Sequence, residues 1–146
     1  MTGKIKQKLQ LDPDEMAFRK IYWPLLKNEQ ITVIFRPSVR LCGDYRGYCI
    51  GQKVKARVID KVGADWAMIP PKFVRGFFKK IIIEKVEIKK IGGLKREDFM
   101  GSSPDIQGAD SLVYDLGVVY NLFIDELNRD TFVTKITFSY DHGKRT

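Results

Sequence analysis

KVKARVIDKV, residues 53–62, is the stretch of sequence that decides the fold. Its apolar and basic positions alternate, with Val54, Ala56, Val58 and Val62 on one side and Lys53, Lys55, Arg57 and Lys61 on the other. Successive side chains of a β-strand point to opposite faces of the sheet. The stretch therefore predicts a half-buried strand with a basic outer face, and it indicates both a β-rich core and an anionic partner.

Length and composition are those of one globular domain spanning residues 1–146. The chain is 44% hydrophobic and 30% charged, which suffices for a folded core. No apolar run approaches the roughly 20 residues that a membrane span requires, so no membrane partner is expected. Residues 1–11 are basic and precede no apolar stretch, which predicts a flexible N-terminal segment and not a secretory signal.

The chain contains two cysteines, Cys42 and Cys49, and one histidine, His142. These are too few for a disulfide-rich scaffold or for a zinc site with four ligands. We interpret the cysteines as reduced thiols of a cytoplasmic protein. His142 lies in the tail DHGKRT, a position typical of a solvated terminal residue, and the sequence indicates no metal or cofactor.

Charge is segregated along the chain. The net charge is +8, and residues 1–96 carry 22 basic against nine acidic groups, whereas residues 97–130 carry one basic against eight acidic groups. Such segregation favours a positive face that attracts phosphate, with an attraction that weakens as salt rises. The alternative is a solvated surface whose lysines maintain solubility.

Periodicity predicts the remaining elements. An apolar stripe after Asp12 predicts a helix that Pro24 kinks or restarts, and residues 94–100 and 110–127 predict a helical turn and a second helix. Strands are predicted at 31–36, 77–91 and 131–140, the second with a bulge or bend where its alternation slips. Strands mixed with a few helices, without a βαβ rhythm, predict an α+β fold built on a small β-barrel decorated by helices.

Four blocks give the sequence a resemblance to a known family. They are ITVIFR (31–36), GQKVKARV (51–58), IIIEKVEIKKIGGLKREDF (81–99) and TFVTKITF (131–138). Their order resembles the ASCH domain of the PUA-like superfamily over residues 14–140. The resemblance implies a PUA-like barrel with a cleft beside the first strand. It also implies RNA-related work, and a few family members hydrolyse acetylated cytidine.

The family motif Gly-x-Lys-x-x-Glu/Thr-x-Arg enters that first strand. Anchored on Arg36, the motif places Glu29 at its glycine, Ile31 at its lysine and Ile34 at its Glu/Thr position. The resemblance gives the lysine and threonine of hydrolytic members the roles of base and nucleophile. Isoleucine can perform neither role. A hydrolase acting on a modified nucleoside therefore stays the alternative, and a binding module is the leading prediction.

The loop Arg40–Tyr48 interleaves cations with aromatic side chains and leads into the basic strand. Guanidinium groups hold phosphates, and tyrosine rings either stack on unpaired bases or serve as ordinary packing residues. Arg75, Lys79 and Lys80 extend the surface if their strand orients them suitably. The predicted nucleic-acid site comprises Arg36, Arg40, Tyr45, Arg46, Tyr48, Lys53, Lys55 and Arg57.

The sequence thus predicts an RNA- or nucleotide-binding module. Two alternatives remain: an acetylcytidine-type amidohydrolase with a pocket near Arg36, and a protein-interaction domain that uses the acidic helix at 110–127. The oligomeric state is not indicated.

Overall fold

The computed structural model describes residues 12–44, 47–61, 72–102, 106, 108, 110–113 and 130–143. Its helix α1 spans Trp23–Lys27, and its strands are β1 (Glu15–Phe18), β2 (Val33–Pro37), β3 (Lys53–Lys61), β4 (Lys72–Phe73), β5 (Lys79–Lys90) and β6 (Phe132–Tyr140). Short 3₁₀ turns occupy Lys20–Tyr22, Ile91–Gly93 and Arg96–Phe99. The predicted α+β class is confirmed. No helix in these ranges is long and apolar enough to cross a membrane.

The strands form one mixed sheet in the order β1-β3-β5-β6-β2, with β4 paired to β3. β1 runs parallel to β3, and the other pairs are antiparallel. The sheet is open, because β1 and β2 form its two edges and do not pair with each other. The predicted closed barrel is therefore corrected: a side chain, and not a backbone ladder, joins these edges, as described below.

Burial along β3 alternates as the sequence predicts. Val54, Ala56 and Val58 are buried, while Lys53 and Lys55 are exposed. β5 contains the predicted irregularity, because its register with β6 shifts between Ile83 and Lys85. The shift explains why no single alternation runs through residues 77–91 of the sequence.

The predicted helix after Asp12 is wrong in its first part. Residues 15–18 form β1, in which Met16 and Phe18 are buried on the core side. Parallel pairing with β3 decides this conformation, starting from the hydrogen bond that the Lys55 amide donates to the Asp14 carbonyl. A helix begins only at Trp23, with Pro24 in its first turn, which agrees with the predicted restart.

Apolar side chains pack on both faces of the sheet. The main core covers one side of the sheet with residues from β1, β2, β3, β5, β6 and the segment around α1. A second cluster covers the opposite side of β2 and β6 and comprises Val33, Phe35, Ile91, Phe99, Ile106, Leu112 and Val133. The predicted turn at 94–100 contributes Phe99, whereas the predicted helix at 110–127 lies beyond the described residues after Val113.

Asp98 fixes the segment that carries the second cluster to the sheet. Its Oδ1 lies 3.1 Å from both Lys89 Nζ and Lys135 Nζ, and its Oδ2 accepts a hydrogen bond from the Lys95 amide at 2.8 Å. Burial raises the pKa of Asp98, but these hydrogen bonds outweigh it and lower the pKa to about 2. The ionised carboxylate thus holds two strands and one turn together.

Candidate nucleic-acid interface

The basic side of β3 is exposed, and β5 extends it. Lys53, Lys55 and Arg57 alternate with the buried residues of β3, so all three lie on its outer side. Lys80 of β5 is the cross-strand partner of Lys55 and is exposed on the same side. We refer to the surface formed by Lys53, Lys55, Arg57 and Lys80 as the β3 face.

Two phenylalanine rings accompany these cations. Lys55 Nζ lies 4.6 Å from the centre of the Phe78 ring, and Arg57 Cζ lies 4.2 Å from the centre of the Phe73 ring. The Phe78 side chain is strongly exposed, at 45%. The predicted site includes neither ring, although KFVRGFFKK (72–80) interleaves aromatic and basic residues in the manner of the loop at 40–48.

Carboxylates flank the β3 face on two sides. Glu15 Oε1 lies 3.3 Å from Arg57 Nη1, and Asp141 Oδ2 lies 3.8 Å from Lys53 Nζ. Among the described residues, no carboxylate lies within ion-pair distance of Lys55 or Lys80. These two lysines are therefore the cations most available to a phosphate group.

The segment from Arg75 to Lys80 extends the face only in part. Lys80 joins it, but Lys79 pairs with Glu29, whose Oε2 lies 2.9 Å from Lys79 Nζ. Arg75 lies in the turn before β5, next to Gly76, whose φ of +73° favours glycine.

Arg36 lies on β2 and Arg40 in the segment after it, and the guanidinium groups of both donate hydrogen bonds to backbone carbonyls. Arg36 Nη2 donates to the Ala17 carbonyl of β1 at 2.9 Å, and its guanidinium stands 5.9 Å from the Phe18 ring centre. Arg40 Nε donates to the Pro37 carbonyl at 3.1 Å. The structure thus does not group these arginines with the lysines of the β3 face.

The tyrosines of the predicted loop divide into one core residue and one outside the described ranges. Tyr48 is only 6% exposed, and its hydroxyl donates to the Glu15 carbonyl at 2.6 Å. The packing interpretation therefore holds for Tyr48, and a base-stacking role for this ring is wrong. Tyr45 and Arg46 lie outside the residues that the structure describes.

The two cysteines form a disulfide bond, with Cα atoms 4.5 Å apart. The prediction of reduced thiols is therefore corrected. The physical reason is a tight loop: the Gly47 amide donates to the Asp44 carbonyl, and the Leu41 amide donates to Asp44 Oδ2 at 2.8 Å. These turns bring Cys42 and Cys49 together. The cytoplasmic location stays a prediction.

The positions of the ASCH motif can now be compared with the backbone. Glu29, at the glycine position, has a φ of +56°, a left-handed conformation that glycine adopts most readily. Ile31 and Ile34, at the lysine and Glu/Thr positions, are buried at 1% and 5% exposure. At these two positions the chain therefore places aliphatic side chains in the core.

Glu29 is also the centre of a small polar cluster. Its carboxylate contacts Lys79 and lies 2.8 Å from His142 Nε2. Hydrogen bonds from Lys79 and His142 lower the pKa of Glu29. The cluster ties the end of β6 to the turn before β2, and the exposed His142 side chain completes it.

The solved structures that resemble the chain include the following three. Protein EF3133 from Enterococcus faecalis V583, of the family model DUF984, aligns over 96% of this chain and 82% of its own, with 10% identity and a TM-score of 0.54. Hypothetical protein PH0355 aligns over 92% and 99%, with 14% identity and a TM-score of 0.49. An ASCH domain from Lactobacillus crispatus JV V101 aligns over 82% and 70%, with 12% identity and a TM-score of 0.45.

These similarities concern the fold. The alignment with the Enterococcus protein shows that the two chains share an α+β fold, and an ASCH domain is among the structures that this chain resembles. No protein-family model and no curated protein matches the sequence.

Proposed function

We propose that this protein binds RNA or nucleotides through the β3 face. The observation that carries the proposal is the placement of two exposed lysines, Lys55 and Lys80, directly opposite each other on neighbouring strands, with no carboxylate of the described residues within ion-pair distance of either. Cations so placed attract phosphate, and the excess of basic over acidic groups in residues 1–96 reinforces that attraction.

Hydrolysis of a modified nucleoside is not part of this proposal. The motif positions that supply the base and the nucleophile are the buried side chains Ile31 and Ile34. Neither carries a group that accepts a proton or attacks a carbonyl. The protein-interaction alternative concerns residues 110–127, of which only 110–113 are described.

The test is the binding of a labelled oligouridine of about ten nucleotides, followed by fluorescence anisotropy over a salt series. The site variant Lys53→Ser/Lys55→Ser/Lys80→Ser removes three exposed cations of the β3 face. Arg57 is left intact because it is paired with Glu15, whose carboxylate would otherwise lose its partner.

The matched control is Lys90→Ser/Lys95→Ser/Arg96→Ser. It removes the same charge from exposed positions at and beyond the far end of β5, where Lys90 lies ten residues from Lys80 along the strand, or roughly 30 Å. We expect the site variant to lose at least about tenfold in affinity and the control to stay near the wild-type value. Equal losses in both variants would show that only net charge matters, and would contradict the proposed site.

A further inference from the structure

The cations of the β3 face form a regular row. Lys53, Lys55 and Arg57 occur at every second residue of one strand, so neighbouring side chains start about 7 Å apart on the same side. An extended nucleic-acid strand presents one phosphate per nucleotide at comparable intervals. The row therefore suits a phosphate backbone that runs along β3.

The two sides of this row differ. On the β1 side, the cross-strand neighbours of Lys55 and Arg57 are Glu15 and Ala17, so this side presents a carboxylate and a methyl group. On the other side lie Lys80 and the ring of Phe78, which contacts Lys55. A carboxylate repels phosphate and offers no stacking surface. Bases attached to a backbone on the row are thus favoured on the Phe78 side.

Phe78 and Phe73 have different roles in this arrangement. The Phe73 ring is half-buried and lies against the Arg57 guanidinium, which holds that side chain in place. Phe78 is 45% exposed although Lys55 contacts it, so much of its ring surface is open. An open ring beside phosphate-binding cations is the feature on which unpaired bases stack.

We propose that the β3 face takes a single strand, with phosphates along Lys53, Lys55 and Arg57 and one base stacked on Phe78. The inference rests on the proposed function and deepens it by naming the ligand class. Bases of a duplex are stacked on one another inside the helix, so a duplex reaches the cations but not the ring. Lys80, opposite Lys55, holds the strand from the side of the base.

The experiment compares a labelled oligouridine with a blunt-ended RNA duplex of equal charge, using the wild type, Phe78→Leu and Phe132→Leu. Phe132 is the matched control because its ring is 46% exposed and also lies beside a lysine, with Lys90 Nζ 5.5 Å from its centre. Leucine keeps an apolar side chain but removes the stacking surface. Thermal unfolding of each variant verifies that it folds.

We expect the wild type to prefer the single strand and Phe78→Leu to weaken its binding by at least about fivefold, since stacking contributes about 1–3 kcal/mol per base. Duplex binding and the salt dependence should stay unchanged in Phe78→Leu, and Phe132→Leu should bind as the wild type. Equal binding of both RNAs, together with no effect of Phe78→Leu, would overturn the inference and leave the proposed function standing. No binding of either RNA would overturn both.

Discussion

The Arg36 guanidinium donates a hydrogen bond to the Ala17 carbonyl across 2.9 Å, and this contact joins the two edge strands of the sheet. Backbone pairing leaves β1 and β2 as edges, and unpaired edge groups need a partner or a cover. The Arg36 side chain, which is long and ends in a planar set of donors, supplies such a partner. Arg36 therefore partly replaces the ladder that would close a barrel.

Replacing Arg36 should weaken the fold. We expect Arg36→Ala to lower the free energy of unfolding by about 1–3 kcal/mol, because it removes a hydrogen bond with a charged donor and leaves the Ala17 carbonyl without this partner. Urea unfolding measures the change. Arg75→Ala, in an exposed turn, serves as the control for lost charge. Identical stability of Arg36→Ala and wild type would show that the bridge contributes nothing to the fold.

Asp98 should make stability depend on pH in the acidic range. Its folded pKa of about 2 lies below its ordinary value of 3.8, so the ionised form stabilises the fold. That contribution, of the order of 2 kcal/mol, is complete above about pH 4 and is lost as the pH falls towards 2. Urea unfolding between these values measures it.

Asp98→Asn should remove this part of the pH dependence and lower stability at neutral pH, because Lys135 keeps a largely buried charge without its partner. Glu29→Gln is the matched control. The pKa of Glu29 is also lowered, but its carboxylate lies in a cluster with the exposed His142 side chain, so this variant should keep the acid profile that Asp98 produces. An unchanged acid profile in Asp98→Asn would rule out the assigned role.

The disulfide between Cys42 and Cys49 predicts a defined thiol count. Denatured protein should show no free thiol before reduction and two after it, as measured with a thiol-reactive chromophore. Reduction should lower the free energy of unfolding by about 2 kcal/mol, because a loop of this length no longer constrains the unfolded chain. Two free thiols in freshly prepared, unreduced protein would contradict the bond.

The sequence patterns that predicted structure correctly are those for which the local geometry of the strand alone determines which side chains are buried. The alternation at 53–61 predicted both the buried side and the basic side of β3, whereas Val62 lies outside the described residues, and the slipped alternation at 77–91 predicted the irregularity in β5. At 15–18 the apolar spacing fits a helix as well as a strand, and pairing with the distant β3 decides the outcome. Ile21, an apolar residue within the stretch predicted as a helix, is 57% exposed.

In the candidate site too, some features follow from local sequence and others from contacts between residues that are distant in sequence. The basic row on β3 follows from periodicity alone, but no local pattern distinguishes a packing tyrosine from a stacking one. Tyr48 is buried in the main core, where its hydroxyl donates to the Glu15 carbonyl, which is distant in sequence. Phe78 joins the site through its contact with Lys55, which depends on the pairing of β3 with β5.

The most direct test of the central claim is to map the binding surface by NMR. Titration of isotope-labelled protein with oligouridine should shift the backbone amide signals of residues 53–57 and 78–82, with Lys55 and Lys80 among the most affected. Signals of Arg36, Arg40 and Thr134 should stay in place. Shifts confined to those three residues and their neighbours, or no shifts at saturating oligouridine, would contradict the assignment of the β3 face as the nucleic-acid-binding surface.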